Sequence, residues 1–367
     1  MTCARTGSVD AVRAVLAYGG DVKARETWQE QTALMWAVAE GHAPVVQALL
    51  EHGADVRARS RVRPQRRRVH DDGSREGHMP DQGGFTPLLF AARAGRLDTA
   101  QLLLAAGAHV NETAADGNTA LLVATVRGHV NLTTFLLDQG ADPDASGPGY
   151  TALHWAAGLW ETELTSRAGI AAERDDEWRA LAGLPTGKMA FLRALLSHGA
   201  NPNAPLVKSP PRFGFTPGVV ALDPGTTPLL LAAMAGDVGV MRVLLASGAD
   251  SQLASNDGTT PLMVAAGLGR SQVSSVTESD ALKAVELALE LGADVDAANE
   301  AGNTALHGAA SRGLDAIVQR LADAGATVTV QNKRGRTPLD MAAPTPLSTG
   351  SPSTTALLRT LAGQRPD

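Results

Sequence analysis

Of the 367 residues, 44% are apolar and 19% charged, with 38 Gly, 20 Pro and a formal net charge of −6. This length can bury a large core as two domains or as one extended array, while the negative balance opposes general affinity for nucleic acid. Five Trp, two Tyr and six Phe are few for such a chain, so the core must come from Ala, Leu and Val at close helix spacing, which disfavours an aromatic-lined small-molecule pocket.

At the N-terminus, Met1 to Ser8 lacks the apolar stretch of a signal peptide, and no window approaches ~18 uninterrupted apolar residues. The expectation is a soluble chain without membrane insertion, with cytoplasm and periplasm equally open. Cys3 is the only cysteine, which excludes an internal disulfide and a thiolate zinc site. It has no evident base, so it is not read as a nucleophile.

Further along, a threonine motif recurs: Thr32-Ala33-Leu34, Thr86-Pro87-Leu88, Thr119-Ala120-Leu121, Thr151-Ala152-Leu153, Thr227-Pro228-Leu229, Thr260-Pro261-Leu262, Thr304-Ala305-Leu306 and Thr337-Pro338-Leu339. Successive threonines are 54, 33, 32, 76, 33, 44 and 33 residues apart, a period of 33 broken by insertions. Gly-Ala pairs keep step with it, from Gly53-Ala54 to Gly325-Ala326. Threonine caps a helix start and proline suits the first turn. In the unit from Thr86, a short helix with Leu88, Ala91 and Ala92 ends at Gly95. A second, from about Leu97 to Ala106, ends at Gly107, and Asp116-Gly117-Asn118 then carries turn chemistry.

These motifs resemble the ankyrin repeat, with its 33-residue period and its Thr-Pro-Leu-His-x-Ala signature. His154 and His307 keep the histidine; Met35, Leu89, Leu122, Leu230, Met263 and Asp340 replace it. The resemblance implies an all-α solenoid of helix-turn-helix units with hairpin loops. A single array is expected over 1–367, with units near 4–24, 32–58, 86–111, 119–144, 151–203, 227–253, 260–296, 304–329 and 337–361. The first unit lacks its threonine and most of its first helix, so further repeats or a targeting signal are expected upstream.

Four insertions break the period, and such insertions map to loops. The first, 59–84, carries Arg61, Arg63, Arg66, Arg67 and Arg68; from Arg57 to Gly84 eight arginines face four acids. It reads either as an anion- or nucleic-acid-contacting finger or as a solvated loop paired with its own acidic half. The second, 161–187, places Ile170, Trp178, Leu181 and Leu184 among charges and reads as an extra amphipathic helix packed outside, or as a partner groove. The third, 205–225, holds Phe213 and Phe215 between prolines, against the body or toward a partner. The fourth, 271–280, reads as a Ser/Thr-rich loop.

Catalytic signatures are not found. Gly183-Leu184-Pro185-Thr186-Gly187-Lys188-Met189 lacks the spacing and the hydroxyl residue of a phosphate loop. No zinc- or calcium-binding pattern occurs, so neither cofactor nor metal is expected. Asn131-Leu132-Thr133 matches a glycosylation sequon but falls within a helix.

What remains is surface. Partners of such stacks are held by hairpin tips and the exposed ends of the first helices, on one concave face. The resemblance therefore implies contacts at the residue before each threonine and at the two before the mid-repeat glycine. The expected partner is an unidentified protein, with nucleic acid and small molecules disfavoured. The expected contacts are a central patch of Phe85, Arg93, Asn118, Arg127, Tyr150 and Trp160, rich in binding hot-spot types, with Met234, Asn303 and Arg312 further along. For Tyr150 and Trp160, covering the second insertion is the competing role. The expected function is a non-catalytic interaction scaffold; an interaction module of a larger enzyme or complex is the alternative.

Overall fold

The computed structural model describes residues 1–64, 81–158, 188–208, 224–269, 276–344 and 350–363. Regular structure is almost wholly helical, in short helices paired along the chain. Their starts follow from the threonines. Thr86 Oγ1 accepts the N–H of Leu89 at 3.5 Å, Thr119 that of Leu122 at 3.2 Å, and Thr227 that of Leu230 at 3.3 Å. Thr32, Thr260 and Thr337 cap their helices in the same way. The ends follow from glycine: Gly95, at φ +67°, takes the left-handed conformation that closes the helix before it.

The described residues form two compact units, one of 1–152 with 188–199, the other of 153–158 with the described residues from 200 onward. In the first unit the helix pairs are α1 (Thr2–Arg5) with α2 (Val9–Ala17), α3 (Ala33–Glu40) with α4 (Ala43–Glu51), α5 (Pro87–Ala94) with α6 (Leu97–Ala105), and α7 (Ala120–Val126) with α8 (Val130–Asp138). The first helices α1, α3, α5 and α7 stack in one layer. The second helices stack in another, which α10 (Lys188–Ser197) extends from α8. Between them in sequence lies α9 (Ala152–Ala157). The first insertion leaves the body through an antiparallel pair, β1 (Val62–Arg63) on β2 (Gln82–Gly83), with Val62 opposite Gly83.

In the second unit, α11 (Pro228–Met234), α13 (Pro261–Ala265), α15 (Ala305–Arg312) and α17 (Pro338–Ala342) form one layer. The other contains α12 (Val238–Ala246), α14 (Glu278–Glu290), α16 (Asp315–Asp323) and α18 (Pro352–Leu361). Helix α14 is 13 residues long and is capped by Thr277, whose Oγ1 accepts the N–H of Asp280 at 3.1 Å. The stretch 271–280 was expected to be loop throughout; its last three residues are instead the first turn of this helix, because Thr277 supplies a cap.

The core is small-residue and aliphatic. Leu88, Ala91, Leu103, Leu121, Ala124 and Leu136 are buried in the first unit, and Leu230, Ala233, Val285, Ala309, Ile317 and Leu321 in the second. A fully buried leucine contributes about 2 kcal/mol and a threonine cap about 1 kcal/mol. Stacking of repeats therefore supplies most of the stability, and the caps decide where each helix starts. Asn131-Leu132-Thr133 lies inside α8, with Thr133 buried.

Candidate protein-binding surface

Between the second helix of one repeat and the capping threonine of the next, the chain turns through a hairpin tip. In the first unit Arg61 N–H donates to Gln29 O at 2.7 Å and Ala115 N–H to Gly83 O at 3.0 Å. In the second unit Asn256 N–H donates to Pro224 O at 2.9 Å, Glu300 to Asp257 at 2.7 Å and Lys333 to Ala301 at 3.0 Å. These five bonds each join a tip to the one before it. Side chains reinforce this edge. Arg59 donates to Gly84 O at 3.1 Å and to Thr113 O at 2.6 Å, and Arg25 donates to Arg59 O at 2.7 Å. Asn332 Nδ2 donates to Asn303 Oδ1 at 2.8 Å.

Asp257 organises its own tip, accepting Ser255 Oγ at 2.6 Å, Thr259 Oγ1 at 2.8 Å and Thr259 N at 3.0 Å. Burial pushes its carboxyl upward, but these donors outweigh burial and hold it below the usual carboxylate range.

Each tip leads into the N-terminal end of a first helix, and the C-terminal ends lie about two turns further along. Arg93 and Arg127 end the adjacent helices α5 and α7, both half-exposed. His129 joins these two ends, its Nε2 lying 3.3 Å from Arg93 O. Burial holds its imidazole below the ordinary pKa against the opposing bond to Arg93 O, and the charges of Arg127 and Arg96 lower it further. In the second unit, Met234 ends α11 and Arg312 ends α15, both half-exposed, and Asn303 sits half-exposed just before Thr304. Arg312 Nη1 is buried without a hydrogen-bond partner among the described residues.

Three expected contact side chains are placed inside. Phe85 packs edge-to-face on Phe90, with ring centroids 5.7 Å apart, and its backbone bonds to Ser60 in both directions. Asn118 turns its amide onto Asp116 at 2.6 Å. Tyr150 is fully buried, and burial followed by the nearby Asp116 raises its phenol far above the usual range. The expected outward placement of Phe85, Asn118 and Tyr150 is therefore corrected: all three are buried, while Arg93 and Arg127 are half-buried at the C-terminal ends of α5 and α7. Arg61 and Arg63 are exposed on the stem of the first insertion, with Arg61 paired to Glu30 at 3.1 Å. Trp160, Arg66, Arg67, Arg68, the helix expected in 161–187, and Phe213 with Phe215 lie outside the described residues. Trp28, absent from the expected contacts, is 74% exposed on the first tip. A sequence signal existed for it: Gly19 precedes Thr32 by 13 residues, whereas Gly107 precedes Thr119 by 12.

A family model described as ankyrin repeats in three copies matches residues 1–60, 88–163 and 187–276. The chain belongs to the ankyrin-repeat family. Two further ankyrin-repeat models match 34–104 and 287–342. Among curated relatives, Inversin of Danio rerio is 45% identical over 62 residues, 17% of this chain and 6% of that protein. Ankyrin repeat and SOCS box protein 16 of Homo sapiens is 29% identical over 253 residues, 60% of this chain and 46% of that one. E3 ubiquitin-protein ligase KEG of Arabidopsis thaliana is 25% identical over 258 residues, 67% of this chain and 15% of that one. The chain thus spans less than half the length of each. Ankyrin repeats are generally protein-interaction modules, and among the described residues no helix is long and apolar enough to cross a membrane.

Proposed function

We propose that this ankyrin-repeat chain is a non-catalytic scaffold that holds a partner protein along its hairpin tips and first-helix ends. The observation that carries this reading is the tip-to-tip ladder of backbone hydrogen bonds within each unit. It fixes a row of tips at one end of the first helices, whose other ends carry Arg93 and Arg127 and, in the other unit, Met234 and Arg312. A surface already ordered before binding pays little conformational entropy on contact. Arginine also suits such an edge, because its fork pairs with carboxylates in two-point geometry.

The test is a double charge reversal, Arg93→Glu with Arg127→Glu, in binding to the captured partner. Affinity falls about tenfold or more, and a melting curve on the same variant separates lost contact from lost fold. Unaltered affinity removes this edge from the binding surface.

Two further readings have an observation behind them. One relative is named an E3 ubiquitin-protein ligase, of which this chain matches 15%, and this favours recruitment on behalf of a larger enzyme; a catalytic chain co-purifying through the same edge would support it. The exposed Arg63 favours an anion contact through the first insertion. Binding of that kind is lost when residues 65–80 of the first insertion are removed, whereas scaffold binding through the first-helix ends survives that removal.

A further inference from the structure

The first hairpin tip differs from the others in length and in chemistry. Four tips close with a backbone bond spanning four residues: Ala114 N–H to Asn118 O, Ser255 to Thr259, Asn299 to Asn303 and Asn332 to Arg336. The first closes from Glu26 N–H to Gln31 O, one residue longer. The position two before the capping threonine is glycine in the other seven repeats, Gly84, Gly117, Gly149, Gly225, Gly258, Gly302 and Gly335, each at positive φ. Here it is Glu30, at φ +56°, a conformation that L side chains rarely adopt.

Two carboxylates hold this unusual loop in place. Glu26 accepts the backbone N–H groups of Trp28 and Gln29, each at 2.6 Å, and of Gln31 at 3.0 Å. Glu30 Oε1 accepts both Nε and Nη2 of Arg61 at 3.1 Å, and Glu30 Oε2 lies 4.0 Å from Arg25 Nη1. The result is an ordered loop that projects Trp28 into solvent, 74% exposed. Arg25 precedes the loop, Arg61 is clamped to Glu30, and Arg59 and Arg63 lie two residues to either side of Arg61. Four arginines against the two carboxylates Glu26 and Glu30 leave the described residues around the loop with a net positive charge.

We propose that Trp28 is a preorganised anchor for an acidic peptide segment of a partner protein, an apolar side chain packing on the indole and flanking carboxylates meeting the four arginines. Trp and Arg are the residue types that dominate binding hot spots, and paired Arg–carboxylate contacts supply orientation. This deepens the scaffold reading and rests on it.

The test selects random 12-residue peptides on the immobilised 367-residue chain and measures the enriched ones against variants by fluorescence polarisation. Enriched peptides carry Asp or Glu beside an aromatic, Leu or Pro. They weaken about tenfold on Trp28→Ala, about threefold on Arg63→Glu, and little on Trp28→Phe. Glu30→Gly suits the backbone and keeps the melting temperature, yet weakens binding about threefold because the clamp on the loop is lost. Failure to enrich acidic peptides, or equal affinity for Trp28→Ala, overturns the anchor. Peptides indifferent to Trp28→Ala but lost on Arg93→Glu with Arg127→Glu overturn the anchor and leave the scaffold surface standing; indifference to all variants defeats both. A single-stranded oligonucleotide that binds through Trp28 where acidic peptides do not also overturns it.

Discussion

His154 Nε2 lies 3.2 Å from the carbonyl oxygen of Thr226, joining two buried groups 72 residues apart in sequence. The carbonyl can only accept, so Nε2 carries the proton. Burial is the main cause that holds the imidazole down to about 4, and the carbonyls of Thr226 and Ala204 oppose it only in part. The folded state therefore takes up this proton less readily than the unfolded state, whose imidazole titrates near ~6.5. Stability from this site is complete above pH ~6.5, falls as the pH drops toward 4, and levels off below; the linked loss is about 3 kcal/mol. His307 adds in the same direction, with its Nε2 3.0 Å from Arg336 O. Urea titrations at pH 7.5, 6 and 4.5 measure this slope. His154→Leu, the residue at this position in three other repeats, flattens it.

Gly308 occupies the place in its repeat that Trp36, Phe90, Trp155 and Leu231 hold in others. A Cβ there would lie 2.7 Å from the backbone nitrogen of Leu268 and 3.0 Å from its Cβ. Replacing a glycine inside an open helix with alanine ordinarily gains up to about 1 kcal/mol. Here crowding against backbone decides the sign, and Gly308→Ala loses about 1 to 3 kcal/mol. Differential scanning calorimetry should register a lower melting temperature; a rise would show that α13 and α15 can part without penalty.

Arg312 buries one guanidinium nitrogen without a partner among the described residues, and burial lowers its pKa. Its stem packs against Gly267, where an added Cβ would meet Arg312 Cγ at 2.9 Å. Arg312→Met keeps the stem and removes the poorly solvated charge, so folding stability holds or rises by about 1 kcal/mol. Partner affinity falls in the same variant if the guanidinium is kept for binding. Chemical denaturation alongside a binding isotherm separates the two effects, and a clear loss of stability would assign Arg312 to the fold instead.

The repeat was legible because its marks are local. Threonine caps a helix three residues away, and Gly95 or Gly107 ends one by its own φ, so spacing alone locates them. Arg93, Arg127 and Arg312 followed from the same register and are half-exposed where helix ends present them. Phe85 and Tyr150 were placed on the surface by that register, yet burial at their position depends on contacts such as Phe85 with Phe90 and Ser60, which no period encodes. Arg59 illustrates the same limit, for its partner Thr113 lies 54 residues away. Trp28 went unrecognised because the one-residue lengthening of its loop becomes meaningful only once Glu26 and Glu30 are seen to hold that loop in shape.

Site-specific photocrosslinking tests the scaffold surface most directly. A photoreactive amino acid replaces Arg93, Arg127 or Arg312 in turn, with Gln101, exposed on the second-layer helix α6, as the control. Covalent partner adducts are predicted from the three first-helix ends and not from Gln101. Adducts from Gln101 with none from Arg93, Arg127 or Arg312 would contradict binding along the tips and first-helix ends.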